Sequence, residues 1–285
     1  MKKIEVNIKT FDGLHLSARV HEVDAPIWII VVHGLGEHQK RHDHLFSLLG
    51  EDFNILTFDL RGHGLSDGAK ADVDDFNHYV LDLKSVVKFL KKNYNMNEFL
   101  VIGHSMGGLV AARYIQSACE YTPRAVFLSS PAIGSAGTAA KLIKLLPTSI
   151  VNGLAGMNKG IYLKGVLDLK KLSHNYLIYK NYIKDPLCSL KVNSRLLLKI
   201  LEAGFEAQAQ ASPVECEVFG AIGSDDALVG VESTVDFFKK INREDHLKVY
   251  KGGFHELHNE IPEYRDRYID YLKETLLSFR YHEDS

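Results

Sequence analysis

Gly103-His104-Ser105-Met106-Gly107 directly follows Glu98-Phe99-Leu100-Val101-Ile102, and together they read as a strand running into a tight turn that displays a serine. A turn so sharp leaves no room for side chains beside the serine, which is why glycine is needed on both sides of it. Gly103, Gly107 and Gly108 meet that need. A G-x-S-x-G match alone is a weak signal, because a short pattern of common residues arises by chance. The flanks strengthen it: Leu109-Val110-Ala111-Ala112-Arg113-Tyr114-Ile115 continues with good helix formers and no proline. Strand, serine turn and helix in that order present Ser105 as a nucleophile; the alternative is a glycine-rich turn without chemistry.

Working outward, residues 27–32, 53–58 and 99–102 are short apolar runs that predict strands buried on both faces. Between them, residues 75–93 carry Phe76, Tyr79, Val80, Leu83, Val86, Val87 and Leu90 at helical spacing. Residues 4–9 and 14–23 alternate around Asp12-Gly13 and predict an N-terminal hairpin of antiparallel edge strands. Strands are expected again at 125–128, 216–222 and 247–250, with a closing helix at 262–279. The alternation of strand and helix predicts an α/β fold: an open, mostly parallel sheet with helices on both faces.

One stretch breaks the rhythm. Residues 132–212 are too long for a single crossover and are read as an inserted, helical cap, leaving 1–131 and 213–285 as the core. Within the insertion, residues 138–146 place Ala139, Leu142, Ile143 and Leu146 on one side, with Lys141 and Lys144 elsewhere. This segment reads either as a lid touching lipid or as a cap helix packed on its own domain.

With 285 residues, 46% hydrophobic, 25% charged and a net charge of −2, the chain has the composition of an ordinary globular protein. Its charge offers polyanions no bulk attraction, so no nucleic-acid partner is expected. Apolar runs such as 28–32 fall far short of the roughly 20 residues needed to cross a bilayer, and the N-terminus shows no secretory pattern. Cys119, Cys188 and Cys216 are an odd set without metal-type spacing, which fits a reducing, cytoplasmic setting.

A serine hydroxyl needs a base and an acid that orients it. In folds of this kind the chain order is serine, acid, histidine. His255, in Gly252-Gly253-Phe254-His255 after the last strand, is the expected base, with His258 and His282 as the other C-terminal histidines. The acid is expected in Gly223-Ser224-Asp225-Asp226, where either aspartate is chemically able. Asp59 precedes the serine and is expected to be structural, accepting backbone or Arg61 hydrogen bonds. Two backbone N–H groups should hold the oxyanion, those of Met106 and of Leu35 in His33-Gly34-Leu35-Gly36. His33, His38, His42, His44 and His63 invite a metal, with His38 and His42 at helical spacing, yet no H-E-x-x-H or Cys/His ligand pattern accompanies them. Neither a metal nor a cofactor is expected, and the histidines are read as polar support around the oxyanion loop.

With these residues placed, the chain resembles the monoacylglycerol lipase and lysophospholipase-like branch of the α/β-hydrolases over nearly its whole length. His33-Gly34-Leu35-Gly36-Glu37-His38 is similar to that family's oxyanion loop, Asp59-Leu60-Arg61-Gly62-His63-Gly64-Leu65-Ser66 to its D-x-R-G-H-G-x-S segment, and the Ser105 turn to its elbow. Tyr182-Ile183-Lys184-Asp185-Pro186-Leu187 resembles a Y-x-x-D-P-L late in its cap. A G-x-x-D-x-x-V pattern falls on Gly223, Asp226 and Val229, so the resemblance favours Asp226 over Asp225. Arg41-His42 departs from the family's Arg-Tyr, and the cap matches poorly before residue 172. The resemblance implies a serine esterase releasing a fatty acid from a monoacylglycerol or lysophospholipid, with a small lipid ester as partner; lipid-interface contact through the cap is one of the two readings of residues 138–146. An acyltransferase, thioesterase or peptidase on the same triad is the rival, and a non-catalytic binding protein of this fold the more distant one.

Overall fold

In the computed structural model, which describes residues 2–133 and 160–280, the N-terminal alternation becomes a hairpin. β1 (Ile4–Lys9) and β2 (His15–His21) pair antiparallel around Gly13, whose φ of 91° suits glycine. Both were expected at an edge, but only β1 is there. β2 is enclosed because its other side pairs antiparallel with β4 (Asn54–Phe58). Beyond β4 the sheet is parallel: β3 (Ile27–Val32), β5 (Glu98–His104), β6 (Ala125–Ser129), β9 (Glu217–Gly223) and β10 (Leu247–Tyr250) complete the eight-stranded order β1-β2-β4-β3-β5-β6-β9-β10.

The two-residue period of a strand divides the core between the faces of this sheet. From β3, Ile27, Ile29 and Val31 enter one cluster, with Phe46 and Leu49 of α1 (His44–Leu49) and Tyr268, Leu272 and Leu276 of α7 (Pro262–Leu277). Trp28, Ile30 and Val32 enter the other. There they meet Leu83 and Val87 of α2 (Asn77–Tyr94), Val110 of α3 (Met106–Gln116) and Phe238 of α6 (Val231–Lys240). Burial on both faces is the reason β3 is a continuous apolar run. The architecture is that of an α/β-hydrolase.

The described part of the insertion is mixed rather than wholly helical. β7 (Tyr162–Lys164) and β8 (Lys191–Asn193) form a two-stranded antiparallel ribbon, with α4 (Tyr176–Lys184) between them and α5 (Ser194–Ala209) after. Asn175 and Asn193 cap the two helices by accepting from the amides of Leu177 and Arg195. The apolar face of α5, with Leu196, Leu197, Ile200 and Ala203, joins the same core cluster as the sheet. Leu172, Tyr182 and Cys188 instead form a small separate cluster with Leu228 of the core. Residues 138–146, expected to be amphipathic, lie outside the described residues. Among the described residues no helix is long and apolar enough to cross a membrane.

Candidate active site

β5 ends at His104 and α3 begins at Met106, so Ser105 alone makes the turn, with φ of 53°. A side chain in this left-handed region is strained, and the neighbourhood must hold it there. Its amide donates to the Ser129 carbonyl at 2.9 Å, and its own carbonyl accepts from Leu109 and Ala132 at 3.1 and 3.0 Å. Gly107 is obligatory at this crossing, since a Cβ would run into the Val32 and His33 carbonyls.

The structure brings together three residues from distant parts of the sequence. His255 Nε2 lies 2.9 Å from Ser105 Oγ, and His255 Nδ1 lies 2.7 Å from Asp226 Oδ2. Asp226 Oδ1 accepts the amides of Leu228 and Val229 at 2.8 and 3.1 Å, so the carboxylate is aimed by the backbone of its own loop. Asp225 is exposed and turned to Ser224, whose hydroxyl donates to it at 2.8 Å. Of the two aspartates, Asp226 is the one whose carboxylate reaches the histidine. His258 is three residues on, but its ring packs against His42, His44 and His104.

The loop bearing His255 is fixed from several sides. Ser130 Oγ donates to the His255 carbonyl at 2.8 Å, the Phe254 amide donates to Glu260 at 2.9 Å, and the Glu256 amide donates to the Leu172 carbonyl at 2.7 Å. Burial favours the neutral imidazole of His255, but the charge and hydrogen bond of Asp226, with Glu256 and Glu37 behind, carry its pKa above the ordinary 6.5. Among the described residues His104 and His258 have no such partner, and burial holds both well below it.

Leu35 and Met106 border the same pocket as Ser105, and among the described residues neither amide donates to a protein acceptor. Met106 opens α3, where backbone N–H groups lack helical partners and carry partial positive charge. Gly34 packs so closely on Ser105 that a Cβ there would lie 3.0 Å from the serine Cβ.

Sequence reasoning expected histidines to support this loop but missed the carboxylate at the centre of that support. Glu37 is buried and accepts the Gly34 amide at 2.5 Å, His42 Nε2 at 3.1 Å and Arg41 Nε at 3.1 Å. Burial would raise its pKa, yet His42, His104 and Arg41 hold it well below the ordinary carboxylate value. Arg41 Nη2 also donates to both carboxylate oxygens of Glu256, at 2.8 and 2.7 Å, joining the Leu35 loop to the His255 loop. The spacing of Glu37 and Arg41 could have suggested their pair. Nothing local could have suggested Glu256.

The histidines sort differently from a metal cluster. His33 accepts the Leu60 amide at Nε2 and donates from Nδ1 to the Gly34 carbonyl, bracing the loop, while burial depresses its pKa. His42 turns to Glu37 and His38 to Asp185, so the helical pair converges on no common point. Asp59 accepts the amides of Gln39 and Leu65 at 2.8 and 2.9 Å, as expected of a structural carboxylate. Its expected contact with Arg61 is absent. Arg61 is drawn instead to Asp82 and Asp12, each of which takes two of its nitrogens.

Above Ser105 the described wall of the pocket is largely aliphatic, with Leu167, Leu172, Leu197, Ile200, Leu201 and Leu228. Such a surface takes up hydrocarbon, worth about 0.8 kcal/mol per buried CH2.

Known proteins share this architecture. A family model described as serine aminopeptidase, S33 matches residues 25–262. The monoglyceride lipase of Homo sapiens is 30% identical over 240 residues, covering 82% of this chain and 77% of its own. The structure of a Paleococcus ferrophilus monoacylglycerol lipase superposes with a TM-score of 0.78 at 26% identity, covering 98% of this chain and 99% of that one. A soluble variant of the Saccharomyces cerevisiae monoglyceride lipase, solved in complex with a substrate analog, gives a TM-score of 0.81 at 21% identity, covering 97% and 96%, and attests the fold alone.

Proposed function

Because the chain belongs to the serine aminopeptidase S33 family of the α/β-hydrolases, we propose that it hydrolyses carboxylic esters of single-chain lipids, monoacylglycerols ahead of lysophospholipids. Its relatives make it a hydrolase of the lipase and esterase kind. The observation that carries the finer reading is the hydrogen-bonded chain Ser105, His255, Asp226 beneath an aliphatic pocket.

In this account Ser105 Oγ attacks the ester carbonyl while His255 Nε2 takes its proton, and Asp226 keeps the other ring proton on Nδ1. The Leu35 and Met106 amides hold the oxyanion. His255 returns the proton to the leaving glycerol oxygen, leaving an acyl ester on Ser105. Water, activated by the same histidine, then releases the fatty acid. A panel of monoacylglycerols, lysophosphatidylcholine, acyl thioesters and aminoacyl amides tests this. The account expects monoacylglycerol to have a kcat/KM at least about tenfold above the amides. The family model's description keeps a peptidase in view, and faster amide turnover would replace the lipid reading with it.

A pH profile follows from the raised pKa of His255. Only the neutral imidazole accepts the serine proton, so kcat/KM should fall as pH drops through that pKa, with the midpoint of the acid limb above 6.5. A midpoint clearly below 6.5 would contradict the coupling to Asp226.

For the insertion at residues 132–212 we propose the role of a cap that meets a lipid interface. Its described part exposes Tyr162, Tyr176, Leu177, Ile183 and Leu190, and residues 160–193 hold six lysines against two aspartates in a chain of net charge −2. Aromatic and aliphatic side chains among lysines suit an anionic bilayer surface. In vesicle sedimentation, binding should increase with the fraction of phosphatidylglycerol, weaken with salt, and drop several-fold in Leu177→Ser. Binding indifferent to anionic lipid would remove this role.

A further inference from the structure

We infer that His38, Asp185 and Cys188 form a binding site for a divalent transition-metal ion of the zinc class, which staples the cap to the loop after β3. The site stands apart from the hydrolytic steps, needs no metal for them, and does not depend on the substrate reading.

A ligating atom from each of these residues lies within 4.8 Å of the others, a nitrogen, an oxygen and a sulfur. That is the donor set that borderline-soft ions prefer. In a tetrahedral zinc site such atoms stand roughly 3.4 to 3.6 Å apart, so these donors need shifts of about an ångström or less. His38 Nε2 and Asp185 Oδ2 are 2.9 Å apart, and Asp185 Oδ1 is held by the Leu187 amide, which leaves Oδ2 turned to the histidine. The Cys188 amide donates to the Asp185 carbonyl at 3.1 Å, which folds the thiol back beside the carboxylate.

The His38 side chain is 4% exposed and turns Nε2 to Asp185, while among the described residues Nδ1, on the other side of the ring, has no hydrogen-bond partner. Cys188 is likewise a buried free thiol, pushed up to about 12 by burial, with Arg41 opposing and Asp185, Glu37 and Glu256 adding to the rise. It enters coordination by releasing its proton to solvent, as thiol ligands do. Asp185, with 29% of its side chain exposed, gives the ion a path in and leaves room for water as a fourth ligand.

The two sides that the ion joins already touch. The Ser189 amide donates to the Gly36 carbonyl at 2.7 Å, and a Cβ on Gly36 would meet Tyr182 Oη at 2.7 Å. An ion there binds the folded chain in preference to the unfolded one and therefore raises its thermal midpoint.

The test is titration of the metal-free full chain with Co2+, followed by displacement with Zn2+. The expected result is one ion per chain with a thiolate-to-cobalt charge-transfer band, and a higher thermal midpoint with Zn2+. Cys188→Ser should abolish the band and weaken Zn2+ binding at least tenfold. His38→Gln should weaken it comparably, and serves on its own if the serine variant misfolds. Absence of the band in the wild type, a band surviving in Cys188→Ser, or unchanged affinity in His38→Gln overturns the site; cobalt bound without thiolate character would be histidine binding elsewhere on the chain.

Discussion

Replacing Ser105 with alanine is expected to lower kcat for monoacylglycerol hydrolysis by at least about 10^4-fold. Its hydroxyl is the group hydrogen-bonded to His255 Nε2 beneath the aliphatic pocket. Removing it leaves the pocket and the Leu35 and Met106 amides in place, so substrate binding should change far less than turnover. The fold should survive as well. Ser105 is held through its backbone, by Ser129, Leu109 and Ala132, and alanine keeps all three hydrogen bonds. Steady-state kinetics with circular dichroism as a control decide the matter. Activity within tenfold of the parent in a folded variant would show that another group is the nucleophile.

Asp226→Asn should come close in magnitude, also about 10^4-fold in kcat, the loss known for this change in another serine hydrolase. The asparagine oxygen can still accept the Leu228 and Val229 amides, so the loop keeps its shape. Its NH2 group then faces His255 Nδ1. That reverses the tautomer, leaving Nε2 protonated toward Ser105 and unable to accept the serine proton. The acid limb of any residual activity should move to lower pH, because the charge that raised the histidine pKa is gone. Asp225→Asn, at an exposed carboxylate paired only with Ser224 among the described residues, should leave kcat within about twofold. Equal losses in the two variants would contradict the assignment.

The sheet was largely legible in the sequence because its physics is local. A strand buried on both faces must be apolar throughout, and β3 begins and ends with its apolar run. The serine turn was legible because the glycines it requires lie within two residues of Ser105, although the carbonyls that Gly107 must clear, those of Val32 and His33, come from a distant strand end. Asp226 and Asp225 could not be separated on chemistry alone, since both follow the same strand. Their difference is one of direction, set by where β9 ends and which carboxylate the Leu228 and Val229 amides capture.

What stayed hidden depends on pairs far apart in the chain. Arg41 and Glu256 are separated by 215 residues, and no periodicity brings them together. Arg61 sits two residues from Asp59 yet pairs with Asp82 and Asp12, because Asp59 is already occupied by the Gln39 and Leu65 amides. In the insertion, a three-residue ribbon such as β7 with β8 is too short to leave an alternation that can be read. The directions of His38 and His42 were hidden for the same reason: helical spacing says where side chains start, while Asp185 and Glu37 decide where they point.

The central claim is that Ser105 forms the acyl-enzyme in a lipid esterase, and covalent capture tests it most directly. The chain would be treated with a fluorophosphonate bearing a long alkyl chain, with monoacylglycerol turnover followed alongside intact-protein and peptide mass spectrometry. The account predicts one adduct per chain, located on Ser105, with turnover lost in proportion and with protection by excess monoacylglycerol. An adduct on a different residue, or full turnover by a chain whose Ser105 is quantitatively labelled, would contradict it.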